Sequence, residues 1–183
     1  MANPLIVIIC GIIIKIFCFS NDTNVVVLEN GKEIKKRVED TKVGDMVLVH
    51  NGDEKKYAKV YNNTKVEGKH EFFVIKVKNV KDEKKTKEIK VTGEHLMITY
   101  ENKKDIKLVL AKNLEGNEYV ETDDGLYQIY EITKEVRDNK YFLLVKGGVV
   151  YANGVFVSTI CSNDKTKVLE TTNEEWEKFQ NED

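Results

Sequence analysis

Apolar and polar residues alternate along most of this chain with a period of two, the signature of strands that bury one face and wet the other. Val25 to Leu28 ends in the turn Glu29-Asn30-Gly31-Lys32, whose Asn-Gly pair predicts a tight hairpin. Lys42-Val43-Gly44-Asp45 is a second turn, leading into a strand over Met46 to His50 that Asn51-Gly52-Asp53 reverses into Tyr57 to Tyr61. Glu71 to Val80 and Glu88 to Thr92 are rich in β-branched residues and flank Lys81 to Lys87, which predicts a hairpin with a solvated basic loop. Leu96 to Tyr100 with Ile106 to Leu110 form the next expected pair, and Leu126 to Val136 with Tyr141 to Val145 another. The pattern predicts an all-β fold.

Two segments break the alternation. Residues 4 to 17, PLIVIICGIIIKIF, form a continuous apolar run that Lys15 interrupts. The run is shorter than the ~17 to 25 apolar residues of a spanning helix and matches the ~7 to 15 of a secretory signal's core. Met1-Ala2-Asn3 carries no Lys or Arg, and Lys15-Ile16-Phe17 lacks the small residues of a signal cleavage site. Residues 1–17 are therefore expected to be a hydrophobic leader or a residual N-terminal segment. Membrane contact is expected only through residues 4–17, with a secreted or membrane-associated protein if they act as a leader and a cytoplasmic one otherwise. At the other end, Asn173 before Glu174-Glu175-Trp176-Glu177-Lys178-Phe179 predicts a capped short helix in an acidic tail, 162–183. Nothing rich in Gly, Ser or Pro divides 18–161, which reads as one domain.

A faint internal repeat runs through that domain at an offset of about 70 residues. Gly44-Asp45-Met46-Val47 aligns with Gly116-Asn117-Glu118-Tyr119, and Phe72-Phe73-Val74-Ile75 with Tyr141-Phe142-Leu143-Leu144. The repeat implies two similar β halves about a pseudo-twofold axis; chance likeness between β-rich segments is the alternative.

Composition narrows the function more than the fold. Lys plus Arg is 29 against 31 acidic residues, a net charge of -2, so nothing electrostatic favours nucleic acid or an anionic membrane, and a monomer is expected. Cys10, Cys18 and Cys161 are too few and scattered for a disulfide framework or a CxxC metal site, and no cofactor or metal is expected. Zinc suits thiolate and imidazole, but the spacing of Cys18, His95 and Cys161 does not favour it, and zinc there would block a nucleophile.

Cys18 stands where the apolar run ends and the β pattern begins. A cysteine is partly thiolate at neutral pH, and its sulfur reaches the preceding carbonyl, that of Phe17, through a five-membered ring. An attack there converts the Phe17–Cys18 amide into a thioester by an N-to-S acyl shift, with the advantage of being intramolecular. The shift is uphill unless the departing nitrogen is protonated or the amide distorted, and histidine is the apt proton donor. His95 lies on a turn with Thr92 three residues earlier, a spacing that lets both converge on one peptide group. A hydrogen-bonded histidine at a strand end is the structural alternative for His95. His50 and His70 have no such company and are read as surface residues.

The opening Cys18-Phe19, then Val43-Gly44-Asp45-Met46-Val47-Leu48, Thr92-Gly93-Glu94-His95-Leu96 and the closing Tyr151-Ala152-Asn153-Gly154-Val155-Phe156-Val157-Ser158 occur in the order found in one family. From Cys18 to about Cys161 the chain resembles the Hint domain shared by hedgehog autoprocessing domains and inteins, with the hedgehog type as the closer likeness. The resemblance implies an all-β horseshoe with pseudo-twofold symmetry and autocatalytic cleavage by a single-turnover cysteine domain whose substrate is its own N-terminal segment. It implies Cys18 as nucleophile, Thr92 and His95 as assistants, and Cys161 as the distal cysteine of the hedgehog type.

Some family features are replaced. Thr159-Ile160 precede Cys161 where inteins have His-Asn, so asparagine cyclisation and full splicing are not expected. Phe17 stands where hedgehog proteins have glycine, and Asn63-Thr64-Lys65 holds no carboxylate where their sterol-activating aspartate falls. The expected reaction is therefore cleavage at Phe17–Cys18, with water or a small nucleophile resolving the thioester. Hedgehog-type transfer to a lipid alcohol, an inactive Hint-fold binding module, and a cysteine hydrolase acting in trans are the alternatives.

Overall fold

The computed structural model describes residues 18–159. The leader with Phe17, the tail helix and Cys161 lie outside the described residues. Eleven strands occupy the described chain: β1 Asn24–Glu29, β2 Lys32–Arg37, β3 Met46–Asn51, β4 Lys55–Asn79, β5 Thr86–Val91, β6 Leu96–Glu101, β7 Asp105–Leu110, β8 Tyr119–Thr122, β9 Gly125–Val145, β10 Val149–Ala152 and β11 Val155–Ser158. Two short 3-10 turns, Val38–Asp40 and Ala111–Asn113, follow β2 and β7. The all-β expectation holds.

The first hairpin forms where Asn-Gly predicts it, with Asn30 and Gly31 at φ 51° and 73°, the left-handed pair that suits a strand twist. From there the two halves are built alike. In the first, β1 pairs β2 and, at Val27–Val47, β3, which pairs β4. In the second, β6 pairs β7 and, at Tyr100–Tyr119, β8, which pairs β9. Each half carries its 3-10 turn at the same step, so the repeat is a repeat of pairing order. β4 and β9 join the halves, running antiparallel from Val60–Val145 to Asn79–Tyr127.

That pairing corrects two expectations. Tyr57–Tyr61 and Glu71–Val80 are parts of one 25-residue strand, and Leu126–Val136 and Tyr141–Val145 are parts of one 21-residue strand. Each polar middle, Asn62 to His70 in β4 and Glu131 to Lys140 in β9, finds its ladder in the other. The final hairpin β10–β11 and the short β8 complete the sheet, with β11 meeting β8 at Val155–Thr122.

The core lies between the halves and follows the period of two: Val25 and Val27, Val47 and Val49, Ile75 and Val77, Ile89 and Val91 are all buried. Burial of each such side chain contributes about 1.5–3 kcal/mol. All four residues of β10 are buried, because it is covered on both faces. Lys87 departs from the solvated-loop expectation: its Nζ is 2.8 Å from Asp123 and lies over the Tyr127 ring. His70 is half-buried rather than exposed. No helix among the described residues is long and apolar enough to cross a membrane.

Candidate active site

The start of the described chain is clamped between two strands. Phe19 bridges both Val91, at the end of β5, and Tyr141 on β9. Its N–H donates to the Tyr141 carbonyl at 2.9 Å and its carbonyl accepts from the Tyr141 N–H at 3.0 Å, while the Ser20 N–H donates to Lys90 O at 3.3 Å. The Phe19 side chain is buried, so hydrophobic burial and the ladder both hold it. Asp22 adds an anchor, accepting from Arg137 Nη1 at 2.5 Å and lying 3.7 Å from Lys90 Nζ.

This clamp sets Cys18 opposite Thr92. The Thr92 N–H donates to Cys18 O at 3.0 Å, and the Cys18 N–H donates to Thr92 Oγ1 at 3.0 Å. The second bond matters chemically, because that nitrogen is the one an acyl shift at Cys18 must release. Cys18 is fully buried and forms no disulfide among the described residues. Burial pushes the thiol up to about 12, against which the Lys140 charge pulls it down.

His95 follows on the same turn, its N–H donating to Thr92 O at 3.0 Å. The ring is 2% exposed and its centroid is 4.8 Å from that of Phe19 at a tilt of 59°. Burial lowers its pKa to about 4, an effect that the backbone of Ser158 on β11 slightly offsets. Neither ring nitrogen makes a full hydrogen bond among the described residues, so His95 is a neutral imidazole with spare capacity to take and give a proton.

Gly93 is required by packing: a Cβ there would sit 2.8 Å from the ring of Phe73 and 3.3 Å from Lys112 Cβ. Two hydrogen bonds hold the turn from the 3-10 turn after β7, Ala111 N–H to His95 O at 2.8 Å and Lys112 N–H to Gly93 O at 2.9 Å. A cleft of about 410 Å³ opens beside Thr92 and Gly93, with His70, Glu71, Phe73 and Lys140 on its walls.

The structure thus gathers Cys18, Thr92 and His95 at the junction of β5, β6 and β9. Ser158 and Thr159, the last described residues, arrive at the same place: Thr159 N–H donates to Gly148 O at 2.7 Å and its Oγ1 accepts from the Val145 N–H at 3.3 Å. Lys140 was not legible as a site residue, being one lysine in a polar run. No group of three or more His, Cys, Asp or Glu among the described residues is placed to hold a metal ion. Asn63 is structural: its Nδ2 donates to Val38 O at 2.7 Å and Thr41 O at 2.8 Å.

No family model matches the sequence, and no curated protein is significantly similar to it. Solved structures do match. The chain is similar to the gp41-1 intein, with a TM-score of 0.59 and 21% identity over 78% of this chain and 98% of that one. An intein from a hyperthermophile superposes with a TM-score of 0.64 at 13% identity, over 78% and 99% of the two chains. An intein-like domain from Clostridium thermocellum gives 0.56 at 18% identity, over 77% and 97%. These likenesses carry the architecture and do not single out the hedgehog type. Residues 18–159 have the Hint fold, built as the inteins are.

Proposed function

We propose that this chain is a self-cleaving cysteine domain that breaks its own Phe17–Cys18 bond. The observation that carries the reading is the Cys18 N–H held on Thr92 Oγ1 at 3.0 Å in the same turn that buries a neutral His95. In the reaction Cys18 Sγ bonds to the Phe17 carbonyl carbon, the carbon–nitrogen bond breaks, and the thiol proton ends on the departing nitrogen. Thr92 holds that nitrogen in place, and His95, on the same turn, relays the proton lost by the thiol to it as the carbon–nitrogen bond breaks.

Water or a small nucleophile then resolves the thioester and frees the segment ending at Phe17. The stretch Asn63-Thr64-Lys65 supports this over transfer to a lipid alcohol, because it holds no carboxylate where a sterol-activating one is expected, and Asn63 within it is committed to Val38 O and Thr41 O. Thr159-Ile160 before Cys161 support release over splicing, since no asparagine is there to cyclise. Whatever membrane or secretory role the protein has belongs to residues 1–17, the substrate segment on this reading.

Mass spectrometry of the purified full chain, with and without hydroxylamine or dithiothreitol, tests the proposal. Cleavage at Phe17–Cys18 that accelerates with either nucleophile and vanishes in Cys18→Ala is the expected outcome. A folded wild-type chain that stays intact under both reagents sinks it.

A further inference from the structure

The mechanism above leaves one difficulty. The Cys18 thiol is buried where an anion is disfavoured, yet the attack needs thiolate character and generates an oxyanion. We propose that the Lys140 ammonium supplies the compensating charge to Cys18 Sγ as it takes on thiolate character.

The placement follows from strand register. Phe19 and Tyr141 form a reciprocal antiparallel pair, so Cys18 and Lys140 sit one step to opposite sides of it, diagonal to each other. Alternation brings their side chains out on the same face, and such diagonal neighbours are about 7–8 Å apart, within reach of a lysine's stem. Lys140 is 7% exposed, the one buried lysine or arginine among the described residues, and it walls the cleft beside Thr92. A lysine so buried is held for a reason other than solubility. The direction of its action on the thiol agrees, since its charge opposes the rise that burial imposes on Cys18.

The other charges facing this cleft do not compete for that role. On its rim, Glu71 of β4 lies 3.5 Å from Lys134, and Glu94 pairs with Lys112, both lysines being far more exposed than Lys140. Asp22, across the N-terminal turn, is taken by Arg137. His70 is turned to the Glu67 carbonyl at 3.1 Å, and His95 is neutral. Lys140 is thus the buried cation on the thiol's own face.

This assignment rests on the acyl-shift reading, and the test separates the two. The wild type, Lys140→Met, Lys140→Arg and Cys18→Ala are compared, all checked for fold by circular dichroism. Dithiothreitol-driven cleavage is followed from neutral to mildly alkaline pH, and Cys18 thiolate is read through the rate of its alkylation by iodoacetamide, with Cys18→Ala as the blank, before thiol is added. Lys140→Met is expected to lower both thiolate at a given pH and cleavage rate by about tenfold or more, the equivalent of one pKa unit, and Lys140→Arg to restore most of each. If Lys140→Met does not fold, Lys140→Gln carries the same comparison. A folded neutral variant with unchanged thiolate and unchanged rate overturns the role of Lys140 while leaving self-cleavage standing. An intact wild type overturns self-cleavage, and the thiolate measurement then still decides whether Lys140 acts on Cys18.

Discussion

Two turns in this molecule have one backbone and opposite side-chain economies. Ser20-Asn21-Asp22-Thr23 leads into β1, and Thr92-Gly93-Glu94-His95 leads into β6. Each closes with the last N–H donating to the first carbonyl, at 3.1 and 3.0 Å, and each passes its last carbonyl to the start of a 3-10 turn, Val38 at 2.7 Å and Ala111 at 2.8 Å. In the first, Ser20 Oγ donates to Asp22 Oδ1 at 2.7 Å and meets Thr23 Oγ1 at 3.1 Å, so its buried hydroxyls are satisfied. In the second, the place of Thr23 is taken by a buried imidazole that makes no full hydrogen bond among the described residues, with the Ser158 backbone nearby. A buried unsatisfied polar group costs about 1–3 kcal/mol. The fold needs only the turn; a poorly paired buried imidazole falls on one copy alone, the copy that carries the proposed chemistry.

Substitutions at matched positions should therefore behave differently. His95→Ala is expected to slow nucleophile-induced cleavage by about 10²-fold or more, the scale of a lost proton relay. Thr23→Ala should cost roughly 1 kcal/mol in denaturant unfolding through lost side-chain contacts, and leave the cleavage rate within a few-fold. Equal effects on rate at the two positions would remove the distinction.

Acid should find the same asymmetry. Unfolded, His95 binds a proton below its ordinary 6.5; folded, only below about 4. Stability from the neutral buried ring is thus full above pH 6.5 and is lost as pH falls toward 4, by up to about 3 kcal/mol. Urea unfolding across that range, with His95→Gln as reference, measures the slope; a slope identical in the two proteins would show that the ring is not buried neutral.

The smallest effect concerns the second position of each turn. Gly93→Ala drives a methyl into the Phe73 ring and is expected to destabilise by about 1–3 kcal/mol while disturbing the Thr92 contact. Asn21→Ala, at the matching place in a looser turn, should stay within about 0.5 kcal/mol. Thermal unfolding of the pair checks both.

Much of this architecture was readable from the chain because one buried face writes itself as alternation: Val25 and Val27, Ile75 and Val77, Ile89 and Val91. Asn30-Gly31 marked its hairpin for the same local reason. The long strands β4 and β9 were not readable, because Asn62 to His70 and Glu131 to Lys140 are polar on both faces and turn-like in composition. What makes them strands is each other, a pairing between residues remote in sequence. At the candidate site, chemistry, spacing and family likeness single out Cys18, Thr92 and His95, and the fold brings the three together. Lys140 is not among them, since its burial arises only when Phe19 pairs with Tyr141. The kinship of Ser20–Thr23 to Thr92–His95 was present in the sequence at the repeat's own offset, but serine and threonine against threonine and histidine leave little to align.

The hold of Thr92 on the Cys18 nitrogen has a kinetic consequence. The amine released by an acyl shift would not diffuse away, because Phe19 remains in its ladder and fixes the residue that carries it. The return of that amine onto the thioester is unimolecular and needs no search, and the amide is the more stable product. The domain would then spend most of its time as the uncut chain, opening and resealing one bond. Its yield would be set by how often an acceptor intercepts the brief thioester, so cleavage should rise with nucleophile concentration before it levels at the rate of the shift itself.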